Sequence, residues 1–264
     1  MKILSVISAF ILLMALAGCG KNVLDYGEVE KLDANQTLLK INYVSMYANG
    51  RSVFLKVNDQ RVSGLLTART PFPGGGYNTG GASQPDFLIV NPGTVKVSVS
   101  LPYKIDTGLD SVVLYSTTLN LEATKKYVVH ITDTATTTKN VVTEENFKMP
   151  DSSSVAYRFI NLMPNVPSVD LYYGTSATVH TADTLLAANI NYLNMSTQFK
   201  VKNGQTKTWK IRAAGAAING TTVLASYTSA STFLNQRVYN IMACGYNGKT
   251  STAQKPYVSF FLIR

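Results

Sequence analysis

The sequence predicts an all-β chain with two tandem sandwich domains behind a short apolar leader. Three observations predict it. From Leu38 onward, apolar and polar residues alternate in short runs rich in β-branched and aromatic residues, punctuated by turn signals every ~8–12 positions. The pattern runs through the chain twice. After the leader no segment carries the 3.6-residue period of an amphipathic helix. Of 264 residues, 45% are hydrophobic and 15% charged, enough apolar material for packed cores and far from a disordered composition.

The leader comes first. Met1-Lys2 carries one positive charge, and Ile3 to Ala17 is apolar apart from Ser5 and Ser8. That run falls short of the roughly 20 residues a membrane helix needs, which fits a secretory signal peptide over residues 1–18. Its exit, Leu16-Ala17-Gly18-Cys19, resembles the bacterial lipobox, in which the cysteine is lipidated and becomes the first mature residue. The resemblance implies a lipid-anchored protein held at the outer membrane through Cys19. Residues 19–37 read as a tether. Gly20-Lys21-Asn22 departs from the acidic pattern that directs some lipoproteins to the cell surface, so periplasmic face and surface both stay open.

The first module spans residues 38–150. Ile41, Tyr43 and Ser45 alternate with Asn42 and Val44. Val53 to Val57 runs into the turn pair Asn58-Asp59, and Phe87 to Val90 into Asn91-Pro92-Gly93. Val95, Val97 and Val99 then alternate with Lys96 and Ser98, and Val141 to Phe147 closes the module. The second module, residues 151–264, repeats this order. Ser52 to Asn58 parallels Ser168 to Gly174 at an offset of 116, which also sets Tyr43-Val44 on Phe159-Ile160. Phe87 to Asn91 parallels Phe199 to Asn203 at an offset of 112, and there Val97 and Val99 meet Trp209 and Ile211. Tyr257 to Ile263 is the closing strand. Two copies of about 110 residues each have the size of immunoglobulin-like sandwiches.

Val155 to Gly174, reading Val-Ala-Tyr-Arg-Phe-Ile-Asn-Leu-Met-Pro-Asn-Val-Pro-Ser-Val-Asp-Leu-Tyr-Tyr-Gly, resembles the opening strands of the domain-of-unknown-function family numbered 4397, and Phe199 to Ile211 resembles its later strand pair. The resemblance extends over residues 38–264, with its specific residues in the second copy. It implies a secreted or lipid-anchored β-domain, and no catalytic residues can be carried over from it. Across the Pro164–Pro167 turn, Arg158 and Asp170 are placed to pair.

The candidate sites are few. Thr67 to Asp86 holds Pro71-Phe72-Pro73-Gly74-Gly75-Gly76-Tyr77, without the lysine and following helix of a phosphate loop. It reads as a long flexible loop or as a binding loop carrying Phe72 and Tyr77. Tyr172 and Tyr173 point to opposite faces of one strand, so one of them is available as a ligand platform, while Trp209 reads as core. Ser111, Thr134 and Thr184 sit in short patterns resembling bacterial O-glycosylation acceptors. His130 lies opposite Tyr127, Val129 and Ile131 and reads as solvated. His180 falls in a polar loop, and Cys244 reads as a buried small hydrophobe. No metal-ligand spacing or nucleophile–base pairing is present, so no cofactor, metal or catalytic residue is expected and the chain reads as a non-enzyme. The net charge of +9 comes from scattered lysines and arginines, read as a solvated basic surface. With export, that excludes nucleic acid as a partner and leaves envelope glycans or other surface proteins. The expectation is a lipid-anchored binding or spacer protein. Two alternatives stay open: a glycan-binding lipoprotein, and a pilus-like subunit that donates its last strand to a neighbour.

Overall fold

Alternating runs of this kind form strands wherever both faces find cover. The computed structural model describes residues 33, 35–47, 50–67, 69–105, 107–202 and 207–264; the segment read as a signal peptide and Cys19 lie outside them. The first half forms β1 (Thr37–Tyr43), β2 (Phe54–Val57), β3 (Gln60–Arg61), β4 (Thr70–Phe72), β5 (Leu88–Val90), β6 (Gly93–Pro102), β7 (Asp110–Leu121), β8 (Lys126–Thr132) and β9 (Lys139–Glu144). The second forms β10 (Ser154–Asn161), β11 (Ser168–Gly174), β12 (Thr184–Asn191), β13 (Phe199–Lys202), β14 (Thr208–Ala213), β15 (Val223–Thr228), β16 (Val238–Cys244) and β17 (Tyr257–Leu262). Among the described residues, strands hold 49% and helix 3%, so the fold is all-β. The Asn58-Asp59 turn works as its sequence predicts: both residues take positive φ, as a tight two-residue hairpin requires, and Val57 faces Gln60 across it.

Each half is two sheets. In the first, β4-β1-β8-β9, with β5 also paired to β1, packs on β3-β2-β6-β7. In the second, β13-β10-β16-β17 packs on β12-β11-β14-β15. In each half the opening strand runs parallel to the eighth or its counterpart, β1 with β8 and β10 with β16. The registers test the repeat residue by residue. Val97 faces Val57 and Trp209 faces Tyr173, so that pairing stands. Leu39 faces Tyr127 while Tyr157 faces Tyr239, so the opening strands correspond at an offset two residues longer than the 116 expected. A two-residue slip keeps every side chain on its face. The Phe87–Phe199 pairing is off by one, because Leu88 is what faces Leu39 as Phe199 faces Tyr157. A slip of one reverses the faces: Leu88 packs into the first core, and Phe87 turns the other way.

That other way is not solvent. Leu39, Ile41 and Tyr43 enter the first core, and Tyr157, Phe159, Tyr239 and Ile241 the second. The opposite faces of the same strands meet in a third core made of Val44, Met46, Val128, Ile160, Met242, Cys244, Phe261 and Ile263. The inner sheets of the two modules therefore press face to face, giving four layers, and β1, β8, β10, β16 and β17 are covered on both sides. Residues 32–264 form one compact unit.

Polar residues inside this seam are bonded to one another. Asn42 Nδ2 donates to His130 Nδ1 at 2.9 Å, and His130 Nε2 lies 3.3 Å from the Thr143 hydroxyl. Thr143 donates to Glu145 Oε1 at 2.7 Å, and Asn240 Nδ2 donates to the same oxygen at 2.9 Å. His130 is fully buried and its ring stacks on Phe261, which corrects its reading as solvated. Its face of β8 was right; the second module covers that face. Burial pushes its imidazole down to about 3, so it is neutral. Lys40 is also fully buried. Its ammonium donates to Pro73 O at 2.6 Å and sits near the rings of Phe87 and Phe261, and burial lowers it to about 8.

The glycine-rich segment is not a loose loop. β4 pairs with β1, and Tyr77 forms an antiparallel bridge to Phe260 on the outer edge of β17. Asn78 Nδ2 adds a bond to Val258 O at 2.6 Å, and the Arg69 guanidinium lies 3.7 Å from the centre of the Tyr257 ring. The last strand is thus paired to β16 within its own chain, with its free edge clasped by the first module. That arrangement engages both edges of β17 within its own chain, so donating this strand to a neighbour would first require the clasp to open.

Candidate functional site

The aromatic ligand candidates are mostly committed to packing. Phe72 is half-buried against the first core, and Tyr77 packs against the second beside Tyr239. Tyr173 packs on Trp209, under Lys207. Tyr172, on the opposite face, is only 5% exposed beneath the Arg212 guanidinium. Trp209 is core, donating from its indole to the Thr232 hydroxyl at 3.1 Å. Cys244 is free and buried, with its thiol pushed up to about 12 by burial. Ser111 and Thr184 are exposed on β7 and β12, and Thr134 is half-buried at the turn after β8. Arg158 and Asp170 do not pair, because they sit in different sheets. Arg158 points into the seam, donating to Glu144 O and Asn146, whereas Asp170 accepts backbone bonds from Asn189 and Gly215.

A charged cluster lies where no sequence motif announces one. Lys210 and Arg212 project from the outer face of β14, expected to be solvated, yet both side chains are fully buried. Asp183, in the segment joining β11 to β12, meets Lys210 at 2.6 Å and Arg212 at 2.7 Å. Burial acts to raise Asp183, but the two cations outweigh it and hold the carboxyl below its usual range. His180 Nδ1 lies 3.2 Å from both cations. A Cβ on Gly174 would overlap the Asp183 carboxylate, so only glycine admits this approach. The cluster pins a loop over the sheet.

An open cavity lies at one end of the seam. It measures about 330 Å³ and lies where β8 and β16 begin and β9 and β17 end. Backbone bonds frame it: Leu38 N to Lys125 O, Glu145 N to Lys126 O, and Val238 N to Arg264 O. Leu38, Phe147, Val238 and Ile263 give it apolar walls, and Lys125, Lys126, Glu145 and Arg264 give it charge. Lys125 is neutralised by Glu122 at 2.9 Å and Glu144 at 3.1 Å. Lys126, half-buried, has a ring contact, 4.5 Å from the centre of Phe87, and no hydrogen-bond acceptor among the described residues. Burial, then the nearby Arg264, lowers its ammonium below the ordinary lysine range. The Glu145 side chain is fully buried, with Oε1 doubly bonded and Oε2 without a hydrogen bond; burial raises its carboxyl above the usual range. No sequence motif announces this site, because its residues come from the ends of four strands in both modules.

Comparison with known proteins adds little beyond family. No curated protein matches the sequence. Among solved structures, a family 26 carbohydrate-binding module from Eubacterium rectale, in complex with maltoheptaose, is 9% identical with a TM-score of 0.22, covering 84% of this chain and 98% of that one. A leucine-rich repeat protein from Bacteroides thetaiotaomicron is 13% identical with a TM-score of 0.18, covering 78% and 25%. Superpositions this poor bear on neither fold nor function. The family model described as "Domain of unknown function (DUF4397)" matches residues 42–172. That span takes in nearly all of the first module and the opening strands of the second, where the sequence had placed the specific residues in the second copy alone, and over it the chain resembles that family.

Proposed function

We propose that this protein is a non-enzymatic binding protein of the bacterial envelope, anchored by a lipid on Cys19, whose two modules act as one body presenting the seam cavity to a ligand. One observation carries the reading. At an open cavity between the two modules, the Lys126 ammonium stands beside Phe87 among apolar walls, with Arg264 close by. Their placement at the junction of two modules gives a ligand a rigid site, because the third core holds both walls.

Two measurements test this. Radiolabelled palmitate is expected in the wild type and absent from Cys19→Ala; equal labelling refutes the anchor. Saturation-transfer NMR against a panel of saccharides and organic acids is expected to find a ligand whose signal disappears in Lys126→Met. A panel with no binder, or binding indifferent to Lys126, refutes the cavity as the site.

A further inference from the structure

We propose that the edge of β7 is a self-association surface, pairing antiparallel with β7 of a second copy of this chain. β7 is 12 residues long, about 40 Å at 3.4 Å per residue. It closes the sheet β3-β2-β6-β7, hydrogen-bonded to β6 on one side and, among the described residues, to no strand on the other. Such an edge is a template for another strand unless charge, proline, a bulge or a cover blunts it. The other edges carry those devices. β9 has Lys139 and Glu144, β13 has Lys200 and Lys202, β4 has Pro71, and β17 is clasped through Tyr77. β12 and β15 meet their neighbours in broken register. β7 has none of these from Tyr115 to Leu121, where its register with β6 is unbroken. From Ser111 to Leu121 it holds no charged residue, proline or glycine. The carboxylates that flank this run are both neutralised, Asp110 by Lys56 and Glu122 by Lys125, each at 2.9 Å. The strand is also held firm: Asn140 of β9 donates to the Tyr115 and Thr117 hydroxyls.

Charge and symmetry select a second copy as the occupant. The chain carries +9, so two copies repel one another over most of their surface, and the uncharged run is where that repulsion is least. A strand paired antiparallel with itself forms a closed two-fold contact, in which the two outer sheets join into one. A foreign peptide added at an edge draws its specificity from side-chain pockets beside it, and β7 lends no residue to the cavities at the seam, beside β5 or against β13. Apolar surface reinforces the choice. Of the thirteen exposed large apolar side chains among the described residues, five lie on or beside the β6–β7 hairpin: Tyr103, Ile105, Leu109, Val112 and Val113. Clustered exposure of this kind marks a contact surface. Ser116 is the midpoint of the uncharged run and is exposed, so two-fold pairing centred there sets it opposite its own copy.

Sedimentation velocity over a wide concentration range tests this, on the chain from Gly20 onward, which keeps the whole compact unit and omits the apolar leader. The unaltered chain is expected to form dimers that dissociate on dilution. Ser116→Lys and Ser116→Glu each set like charges opposite one another across the two-fold, and each alone is expected to dimerise at least tenfold more weakly. Their thermal melting, measured where all three proteins are monomers, is expected to be unchanged. An equal mixture of the two variants pairs opposite charges and is expected to recover the dimer. A chain that stays monomeric throughout overturns the proposal. A dimer indifferent to both substitutions, or a mixture no better than either variant alone, overturns the pairing through β7.

Discussion

Tyr77 and Phe260 exchange both backbone hydrogen bonds, Tyr77 N to Phe260 O at 2.8 Å and Phe260 N to Tyr77 O at 3.1 Å. One residue belongs to the glycine-rich segment of the first module and the other to the last strand of the second. The exchange caps the edge of β17, a place where unpaired strands otherwise invite association with other chains.

The residue before Tyr77 sets how close that approach can be. A Cβ on Gly76 would overlap the Phe260 carbonyl oxygen, which is backbone and cannot swing aside. Gly76→Ala is therefore expected to open the clasp and cost about 1–3 kcal/mol, as overpacking does. Gly64→Ala is the control: open space surrounds that position, and the change is expected to stay within about 0.5 kcal/mol. Urea midpoints of the two variants decide the matter, and equal midpoints would mean that Gly76 has room.

His130 makes the seam sensitive to acid. Its folded pKa, about 3, lies below the ordinary value of 6.5. Between those two values the unfolded chain binds a proton that the folded chain refuses, so unfolding is favoured as pH falls. The stability is fully present above about pH 6.5 and declines toward pH 3, by up to about 5 kcal/mol at 1.36 kcal/mol per unit. His130→Asn is expected to flatten the pH dependence of Tm over that window. A wild-type slope retained in the variant would assign it to other groups.

The alternation of apolar residues made the strands, the two sandwiches and the core positions legible. Leu39, Ile41, Trp209 and Ile211 face inward as their spacing predicts. The covering of the other face was harder to read, yet it left a trace. Val238 to Cys244 and Tyr257 to Ile263 are apolar nearly throughout rather than alternating, which is the pattern of strands buried on both faces. His130 and Lys40, on that same second face, passed for solvated because one strand does not say what lies above it. Phe87 was misplaced because β5 is only three residues long, too short for alternation to set its register. The seam cavity was illegible for a different reason: Lys126, Glu145 and Arg264 meet only through pairing between distant strand ends.

Lys210 and Arg212 were misread in the same way, with a larger energetic consequence. Their i, i+2 spacing puts both on the outer face of β14, where a strand alone would leave them in water. Among the described residues Asp183 is the one carboxylate paired to either. Removing it leaves two buried cations facing each other without compensation, and breaking a buried pair from one side costs about 3–5 kcal/mol. Asp183→Ala is expected to lower stability by at least that much, because two partners are stranded rather than one. Asp183→Asn keeps the shape and an acceptor but not the charge, and is expected to recover only part. The diagnostic variant replaces all three with Leu, Met and Met at 183, 210 and 212. It removes the charges together and is expected to be more stable than Asp183→Ala. If the triple variant is no more stable than Asp183→Ala in chemical denaturation, the loss comes from the loop losing its anchor rather than from stranded charge.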